Sequence, residues 1–150
     1  MQFLKILTPV LVATIVAASA PSTALAQGAN DSVLTEMAQA FRKGDRKKLA
    51  QLLPQARGHV LEPWAAYWEL RARLDEASEA EVSAFLQRYA GTYQEDRLRN
   101  DWLLLLGQRR DWEAFAAHHA LFRMSDDREV RCYALLVDQL RGTTVASDKT

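Results

Sequence analysis

Apolar residues recur every three or four positions along most of the chain, and no stretch shows the sustained alternation that is typical of a strand. From residue 33 onward this spacing predicts an all-α fold. The apolar stripes of the seven predicted helices are, in chain order, Val33 or Leu34 with Met37, Ala38 and Phe41; Leu49, Leu52 and Leu53; Trp64, Tyr67, Trp68 and Leu74; Val82, Phe85, Leu86 and Tyr89; Leu98, Trp102, Leu105 and Leu106; Trp112, Phe115, Ala116, His119 and Phe122; and Val130, Tyr133, Ala134, Val137 and Leu140.

Residues that begin or end helices lie between these stripes. Side chains suited to an N-cap precede the second, fourth, sixth and seventh helices, as Asp45, Ser78 with Glu81, Asp111, and Asp126 with Glu129. Pro63 favours the first turn of the third helix. Glycines mark the expected ends of the first, fourth, fifth and seventh helices, at Gly44, Gly91, Gly107 and Gly142.

The spacing of the predicted caps indicates an internal repeat. Asp45, Ser78 and Asp111 are evenly spaced, about 33 residues apart, and each opens the second helix of a pair. The first helices are expected to start near Asp31, Pro63, Glu95 and Asp127, about 32 residues apart. Two-helix units of this period are the signature of an α-solenoid, in which each pair buries its apolar face against its neighbours. We therefore predict a superhelix of stacked helix pairs over residues 27–142, although the strict tetratricopeptide consensus is not met.

The first 26 residues have the layout of a secretory signal peptide. Lys5 supplies a positive charge, residues 6–18 are mostly apolar, and Ala24-Leu25-Ala26 is a small-x-small cleavage site. The apolar run is shorter than the ~20 residues that span a bilayer, which disfavours a membrane anchor. We predict cleavage after Ala26, export of the mature chain and no stable membrane span in it.

Charge and cysteine content exclude several classes of partner. The whole chain has 19 basic and 19 acidic residues, and cleavage removes only Lys5. This balance leaves no excess of positive charge that would attract nucleic acid or anionic lipid. The basic cluster of residues 42–48 is expected to lie on a solvated face. Cys132 is the single cysteine, so it can form no internal disulfide, and we expect it to be buried as a small apolar side chain.

Two Asp-Trp pairs lie close together in the segment LRNDWLLLLGQRRDWEAF, residues 98–115. Asp111 is expected to cap a helix, and Trp112 is then expected to lie in the contact between this helix and the preceding one. Asp101 lies inside a helix one residue before Trp102, so it is expected to point toward solvent or toward Arg97. Aromatic residues at helical spacing usually fill cores. Both tryptophans are therefore predicted to be core residues rather than a ligand platform.

No catalytic constellation is apparent in the sequence. Phosphate loops, nucleophile elbows, dinucleotide fingerprints and His-Glu-x-x-His zinc motifs are all missing. His118 and His119 are adjacent, so on a helix they point about 100° apart and cannot chelate one metal together. The acidic residues are expected in first helical turns or in surface pairs such as Glu69 with Arg73 and Asp127 with Arg131. We assign no catalytic, cofactor-binding or metal-ligating residue and expect no cofactor.

Several segments resemble a known family in order and spacing. They are PWAAYWELRARL, SEAEVSAFLQRYAGTYQEDRLRNDWLLLLGQRRDWEAF and DDREVRCYALL. Together they resemble the N-terminal superhelical region of soluble lytic murein transglycosylases of Gram-negative bacteria. The resemblance runs from about Ala38 to Gly142.

The resemblance implies a place in peptidoglycan processing. In that family a ring-forming α-helical superhelix precedes a lysozyme-like domain, which cleaves murein glycan to 1,6-anhydromuramic products. The catalytic glutamate of that later domain belongs to a Glu-Ser motif, and no Glu is followed by Ser here. We therefore carry over no catalytic residue, and we expect this chain alone to be inactive.

The sequence thus leaves two functions open. The chain is either the superhelical support segment of such an enzyme, with peptidoglycan glycan strands as its partner, or a stand-alone periplasmic helical-repeat adaptor for a protein partner. We expect residues 143–150 to be a tail that precedes further helices and a catalytic domain in a longer protein. A self-contained glycosidase is disfavoured, because the sequence offers no residue for the chemistry.

Overall fold

The computed structural model describes the backbone of residues 23–147 and the side chains of residues 31–142. Within this range every regular element is helical, as predicted. The helices are α1 (Thr23–Lys43), α2 (Arg46–Leu52), which continues into a 3-10 turn (Leu53–Ala56), α3 (Glu62–Ala72), α4 (Glu79–Arg88), α5 (Tyr93–Arg109), α6 (Trp112–His119) and α7 (Arg128–Ser147). The predicted signal peptide lies outside the described residues, apart from the backbone of residues 23–26.

The odd-numbered helices pack in chain order, α1 against α3, α3 against α5 and α5 against α7. The shorter helices lie beside them, with α2 between α1 and α3, α4 on α5, and α6 between α5 and α7. This packing encloses two apolar clusters, one between α1 and α3 and a larger one from α3 to α7. Trp68 contacts both clusters and joins them.

The predicted caps of the short helices are confirmed. Asp45 accepts the N–H of Lys48 at 3.0 Å, and Asp111 accepts that of Ala114 at 3.2 Å. Ser78 and Glu81 form a complete capping box. The Ser78 backbone N–H and the Arg73 guanidinium lower the pKa of the Glu81 carboxyl to about 2. These side chains satisfy N–H groups that have no partner inside the helix.

The repeat predicted from the caps reappears in the buried residues. Four positions after each cap lie Leu49, Val82 and Phe115, and each is wholly buried. Each of these residues also donates its N–H to the carbonyl of the cap residue, at 3.1, 3.1 and 2.9 Å. The same local geometry therefore recurs once in every repeat period along the chain.

Several predicted helix ends are wrong. Helix α5 continues through Gly107 to Arg109, and Arg110, with a φ of 58°, ends it. Helix α7 continues through Gly142 to Ser147, into the segment we expected to be a tail. Helix α5 begins earlier than predicted, because Thr92 caps it through the N–H of Glu95 at 3.2 Å.

The start of α7 is capped by Asp127 rather than by Asp126. The Asp127 carboxylate accepts the N–H groups of Glu129 at 2.9 Å and Val130 at 3.1 Å. These bonds outweigh the effect of burial and lower the pKa of Asp127. Because the carboxylate points back at its own helix, the predicted surface pair with Arg131 does not form.

Over residues 128–142 and within the described part of the chain, helix α7 is covered on one face only, which corrects two further predictions. Val130 and Val137 are buried against α5 and α6 as predicted. Cys132, expected in the core, is exposed, and Leu140 of the predicted stripe is 41% exposed.

Of the two tryptophans predicted to be core residues, Trp102 is buried as predicted, whereas Trp112 is only partly buried and packs on Tyr133.

Gly107 is a packing residue of α5 rather than a helix end. A Cβ atom built there would lie 2.3 Å from a ring carbon of Tyr133 on α7. Such a distance is far below van der Waals contact, so only glycine allows this ring to lie against α5. Gly142 of α7, in contrast, has open space around it.

We predict that Gly107→Ala destabilises the protein by about 1–3 kcal/mol, because the Tyr133 ring must leave its site. Gly142→Ala is the matched control and should stabilise α7 by up to about 1 kcal/mol, because alanine is the better helix former. Urea denaturation of the two variants measures both changes. Equal effects of the two substitutions would contradict the packing role of Gly107.

Candidate functional site

A groove runs along the surface formed by α1, α3 and α5. Its two adjoining cavities have volumes of about 570 Å³ and about 250 Å³, and both are lined by Arg46, Arg71, Ala72 and Asp101. Phe41, Tyr67 and Arg97 line the larger cavity. We call this feature the arginine groove, defined by Phe41, Arg46, Tyr67, Arg71, Arg97 and Asp101.

Asp101 points into this groove and not toward solvent, which corrects the sequence prediction. Its side chain is 5% exposed, and its Oδ2 accepts the hydroxyl of Tyr67 at 2.8 Å. Arg71 forms an ion pair with the same oxygen at 3.0 Å. Both partners belong to α3, so the carboxylate ties α5 to the preceding odd-numbered helix. Arg97, the partner we expected, forms no ion pair with it.

The arginines of the groove differ in how far their charges are neutralised. Arg46 forms ion pairs with Asp75 at 3.0 Å and Glu76 at 2.6 Å. Arg71 is paired with Asp101. Arg97 forms no ion pair with any described carboxylate; burial lowers its pKa, but a hydrogen bond with Tyr67 and the charge of Asp101 outweigh burial and raise it. Arg97 is therefore the groove cation with a guanidinium available to an anionic ligand.

Burial and the Asp101 carboxylate together change the acidity of the groove tyrosine. They raise the pKa of Tyr67 to about 12 from its ordinary value of 10.0. Arg97 acts in the opposite direction on the same hydroxyl. Tyr67 is thus a neutral phenol at physiological pH, and its hydroxyl donates to the Asp101 carboxylate.

An aromatic cluster borders the arginine groove. Its rings come from α1, α3 and α5, with centroid separations of 5.8–6.4 Å between neighbours, and they are Phe41, Trp64, Tyr67, Trp68 and Tyr93. Tyr67 is buried, the other rings of α1 and α3 are partly buried, and Tyr93 is 56% exposed. The cluster therefore presents ring faces and edges to solvent beside the arginine groove.

The structure buries several acidic residues for which the sequence analysis predicted no burial. Glu69, Glu95, Asp96 and Asp101 are each at most 9% exposed. Glu69 does pair with Arg73 as predicted, at 2.6 Å, but the carboxylate lies inside the protein. Burial raises the pKa of Glu95, but bonds from Arg99, Gly91 and Arg123 outweigh burial and lower it overall. Glu95 is thus held ionised, the opposite of what a general acid requires.

The groove residues escaped the sequence analysis because their partners are distant in sequence. Tyr67 and Asp101 lie 34 residues apart, about one repeat period. A signal was present, since equivalent faces of successive first helices meet when repeats stack. Spacing alone could not show that a tyrosine and an aspartate would occupy these facing positions.

Two of the histidines lie close to carboxylates of other parts of the chain. His59 Nε2 lies 2.8 Å from Asp31, and His118 Nε2 lies 3.7 Å from Glu79. Over the described residues no group of three or more His, Cys, Asp or Glu side chains could hold a metal ion. No helix in the described part of the chain is long and apolar enough to cross a membrane.

Comparison of the chain with protein-family models, curated proteins and solved structures found no match. The fold and the groove define the class as an all-α helical protein with an arginine-lined, aromatic-bordered groove.

We predict that the hydrogen bond between Tyr67 and Asp101 makes stability depend on alkaline pH. In the unfolded chain the phenol loses its proton near pH 10, whereas in the folded protein it keeps the proton to about pH 12. The raised pKa therefore stabilises the folded state fully below pH 10, and this contribution disappears as the pH rises from 10 to 12.

Urea denaturation between pH 8 and pH 12 tests this prediction with Tyr67→Phe. The stability advantage of the wild type over the variant should be constant up to about pH 9.5 and shrink above it. Tyr93→Phe, at the exposed tyrosine, controls for loss of a phenol elsewhere. A difference between wild type and Tyr67→Phe that stays constant to pH 12 would rule out the proposed role of the hydroxyl.

Proposed function

We propose that this chain is an exported, non-catalytic α-solenoid that binds peptidoglycan, the superhelical support segment of a lytic murein transglycosylase. In this proposal a lysozyme-like domain cleaves the glycan, and the helical segment binds and guides the strand in the periplasm. The sequence resemblance suggested this function, and the arginine groove is the observation that carries it.

The recurring geometry of the helix pairs supports a solenoid. The odd-numbered helices pack in succession, and the buried residues after each cap recur at Leu49, Val82 and Phe115. In a solenoid each unit contacts its neighbours along the stack, and the odd-numbered helices contact one another in this sequential way. Successive odd-numbered helices would then form one continuous wall, with the arginine groove lying across it.

The chemistry of the groove fits a murein strand. Peptidoglycan carries carboxylates on its peptide stems, and sugar rings have apolar faces that stack on aromatic side chains. Arg97 would bind a carboxylate, for which a planar guanidinium is well suited. The exposed parts of Trp64 and Tyr93 would contact sugar rings, because they combine an apolar face with a polar edge.

The buried carboxylates support a binding role rather than a catalytic one. Glycan cleavage needs an acid whose pKa is raised so that it holds a proton near neutral pH. Hydrogen bonds to Gly58, Tyr89 and Arg88 outweigh burial and lower the pKa of Glu62, as similar bonds do for Glu95. Both carboxylates are arranged to stay ionised.

A second function, as an adaptor for a protein partner, is favoured by the outer face of α7. Leu135 is 71% exposed and Leu136 is 42% exposed. Leu136 lies one repeat period after Leu103, which in turn lies one period after Leu70, and both earlier leucines are buried. Exposed apolar surface at a position that is buried in other repeats is typical of a surface that binds another element.

Sedimentation with purified murein sacculi tests the first proposal. We predict that wild-type protein pellets with sacculi and that Arg97→Ala weakens binding about fivefold, equivalent to about 1 kcal/mol for one partly screened charged contact. Arg131→Ala, which removes an exposed arginine of α7, is the matched control and should bind like the wild type.

The two functions give different results in this assay. Wild-type protein that stays in the supernatant with sacculi at low salt would contradict murein binding. If Arg97→Ala and Arg131→Ala weaken binding equally, the attraction is general and does not involve the groove. The adaptor function instead predicts no sacculus binding and loss of partner capture in Leu135→Glu.

A further inference from the structure

A second cavity, of about 460 Å³, lies between α4, α5 and α6, away from the arginine groove. One side is apolar and is formed by Leu86, Ala90, Ala117 and Leu121. The polar side includes Arg99 and His118, whose side chains are 6% and 11% exposed. We call this feature the α4–α6 pocket. An apolar wall facing a few buried polar groups is typical of a small-molecule site.

Arg99 has unused hydrogen-bonding capacity inside the protein. Its Nη2 donates to Glu95 at 2.6 Å, whereas its Nε is buried with no hydrogen-bond partner among the described groups. The carboxylate of Asp96 lies 3.9 Å from Nε, beyond hydrogen-bonding distance. A guanidinium has five N–H donors, and buried donors without partners are rare. Arg99 is therefore prepared to bind a further acceptor.

The two carboxylates beside Arg99 also accept hydrogen bonds from other donors. Glu95 also accepts the N–H of Gly91 at 2.9 Å and Nη2 of Arg123 at 2.8 Å. Asp96 accepts the N–H groups of Arg123 and Met124, at distances of 2.7–3.1 Å. Both negative charges would thus remain stabilised if Arg99 engaged a ligand. Because these two carboxylates offset the charges of the arginines, the pocket has little excess positive charge. Charge alone would therefore hold a ligand weakly, and the ligand must also make apolar contacts.

The corresponding cavity one repeat earlier provides an internal comparison. It has a volume of about 290 Å³ and lies between α3 and α4, with Arg73 in its lining. Arg73 donates to Glu69 at 2.6 and 3.3 Å and to Glu81 at 2.6 Å. The position one repeat period before Arg99 is Ala66, so that cavity has no equivalent guanidinium. Between these two cavities, only the α4–α6 pocket has a buried arginine Nε without a partner among the described groups.

We propose that the α4–α6 pocket binds a small carboxylate with a branched apolar group. The carboxylate would accept hydrogen bonds from Arg99, and the apolar group would lie against Leu86, Ala117 and Leu121. This site is independent of murein binding in the arginine groove. The same chemistry is offered by a free branched-chain acid and by the C-terminal carboxylate of a peptide that ends in leucine.

Burial and Arg99 lower the pKa of His118, so its imidazole is largely neutral near pH 7. Glu79, the carboxylate nearest to the ring, acts weakly in the opposite direction. A bound carboxylate would add a negative charge beside the ring and raise its pKa. Binding should therefore be tighter at pH 5.5 than at pH 8.

Titration of the purified, isotopically labelled protein by NMR tests the proposal with two matched probes, 4-methylpentanoate and its neutral amide, 4-methylpentanamide. We expect the acid to bind with a Kd of about 1 mM, as is usual for so small a ligand, and to shift amides of α4, α5 and α6. The amide should bind at least tenfold more weakly. N-acetyl-leucine, tested next, distinguishes the sources, because only a peptide-end site binds it more tightly than the free acid.

Variants locate the site without removing the internal ion pairs. Leu121 is 62% exposed at the pocket, so Leu121→Glu should preserve the fold and weaken binding of the acid at least tenfold by repulsion. Arg57→Gln, at an exposed arginine that lines the earlier cavity and forms no ion pair with a described carboxylate, should leave binding unchanged. Equal binding of the acid and the amide, no binding of either, or wild-type affinity in Leu121→Glu would each overturn the proposal.

Discussion

The buried polar face of α5 is the interaction on which the rest of the structure depends. Helix α5 contacts α3, α4, α6 and α7, and much of this contact is made by side chains that carry charge or hydrogen-bonding groups. Asp101 binds α3, Glu95 and Asp96 bind the segment after α6, and Asn100 binds Asp127 at the start of α7 at 3.2 Å. Buried charges are costly unless they are fully paired, so these contacts fix the neighbouring helices in one arrangement.

The same helix also separates two surfaces with different chemistry. On one side Asp101 is the acid of the arginine groove, where Arg97 keeps a charge without an ion pair. On the other side Arg99 lines the α4–α6 pocket with unused donors. In our two proposals an extended polymer binds in the groove and a small carboxylate binds in the pocket. In the groove Asp101 of this helix pairs with Arg71, and in the pocket Glu95 of the same helix pairs with Arg99.

The sequence predicted what depends on neighbouring residues and missed what depends on contacts between repeats. The capping box of Ser78 and the cap of Asp111 are local hydrogen bonds, and both were predicted correctly. The burial of Asp101 depends on Tyr67, and the role of Gly107 depends on Tyr133, in each case a residue of another helix. The all-α fold was therefore predictable, whereas the composition of the candidate sites was not.

Native-state hydrogen exchange of the segment between α6 and α7 tests the role of α5 most directly. This segment has no helix, yet the N–H groups of Arg123 and Met124 are bound by the buried carboxylate of Asp96. If α5 fixes its neighbours, these two amides should exchange at least about tenfold more slowly than that of exposed Asp126 in the same segment. Equal exchange rates at the three amides would contradict the account.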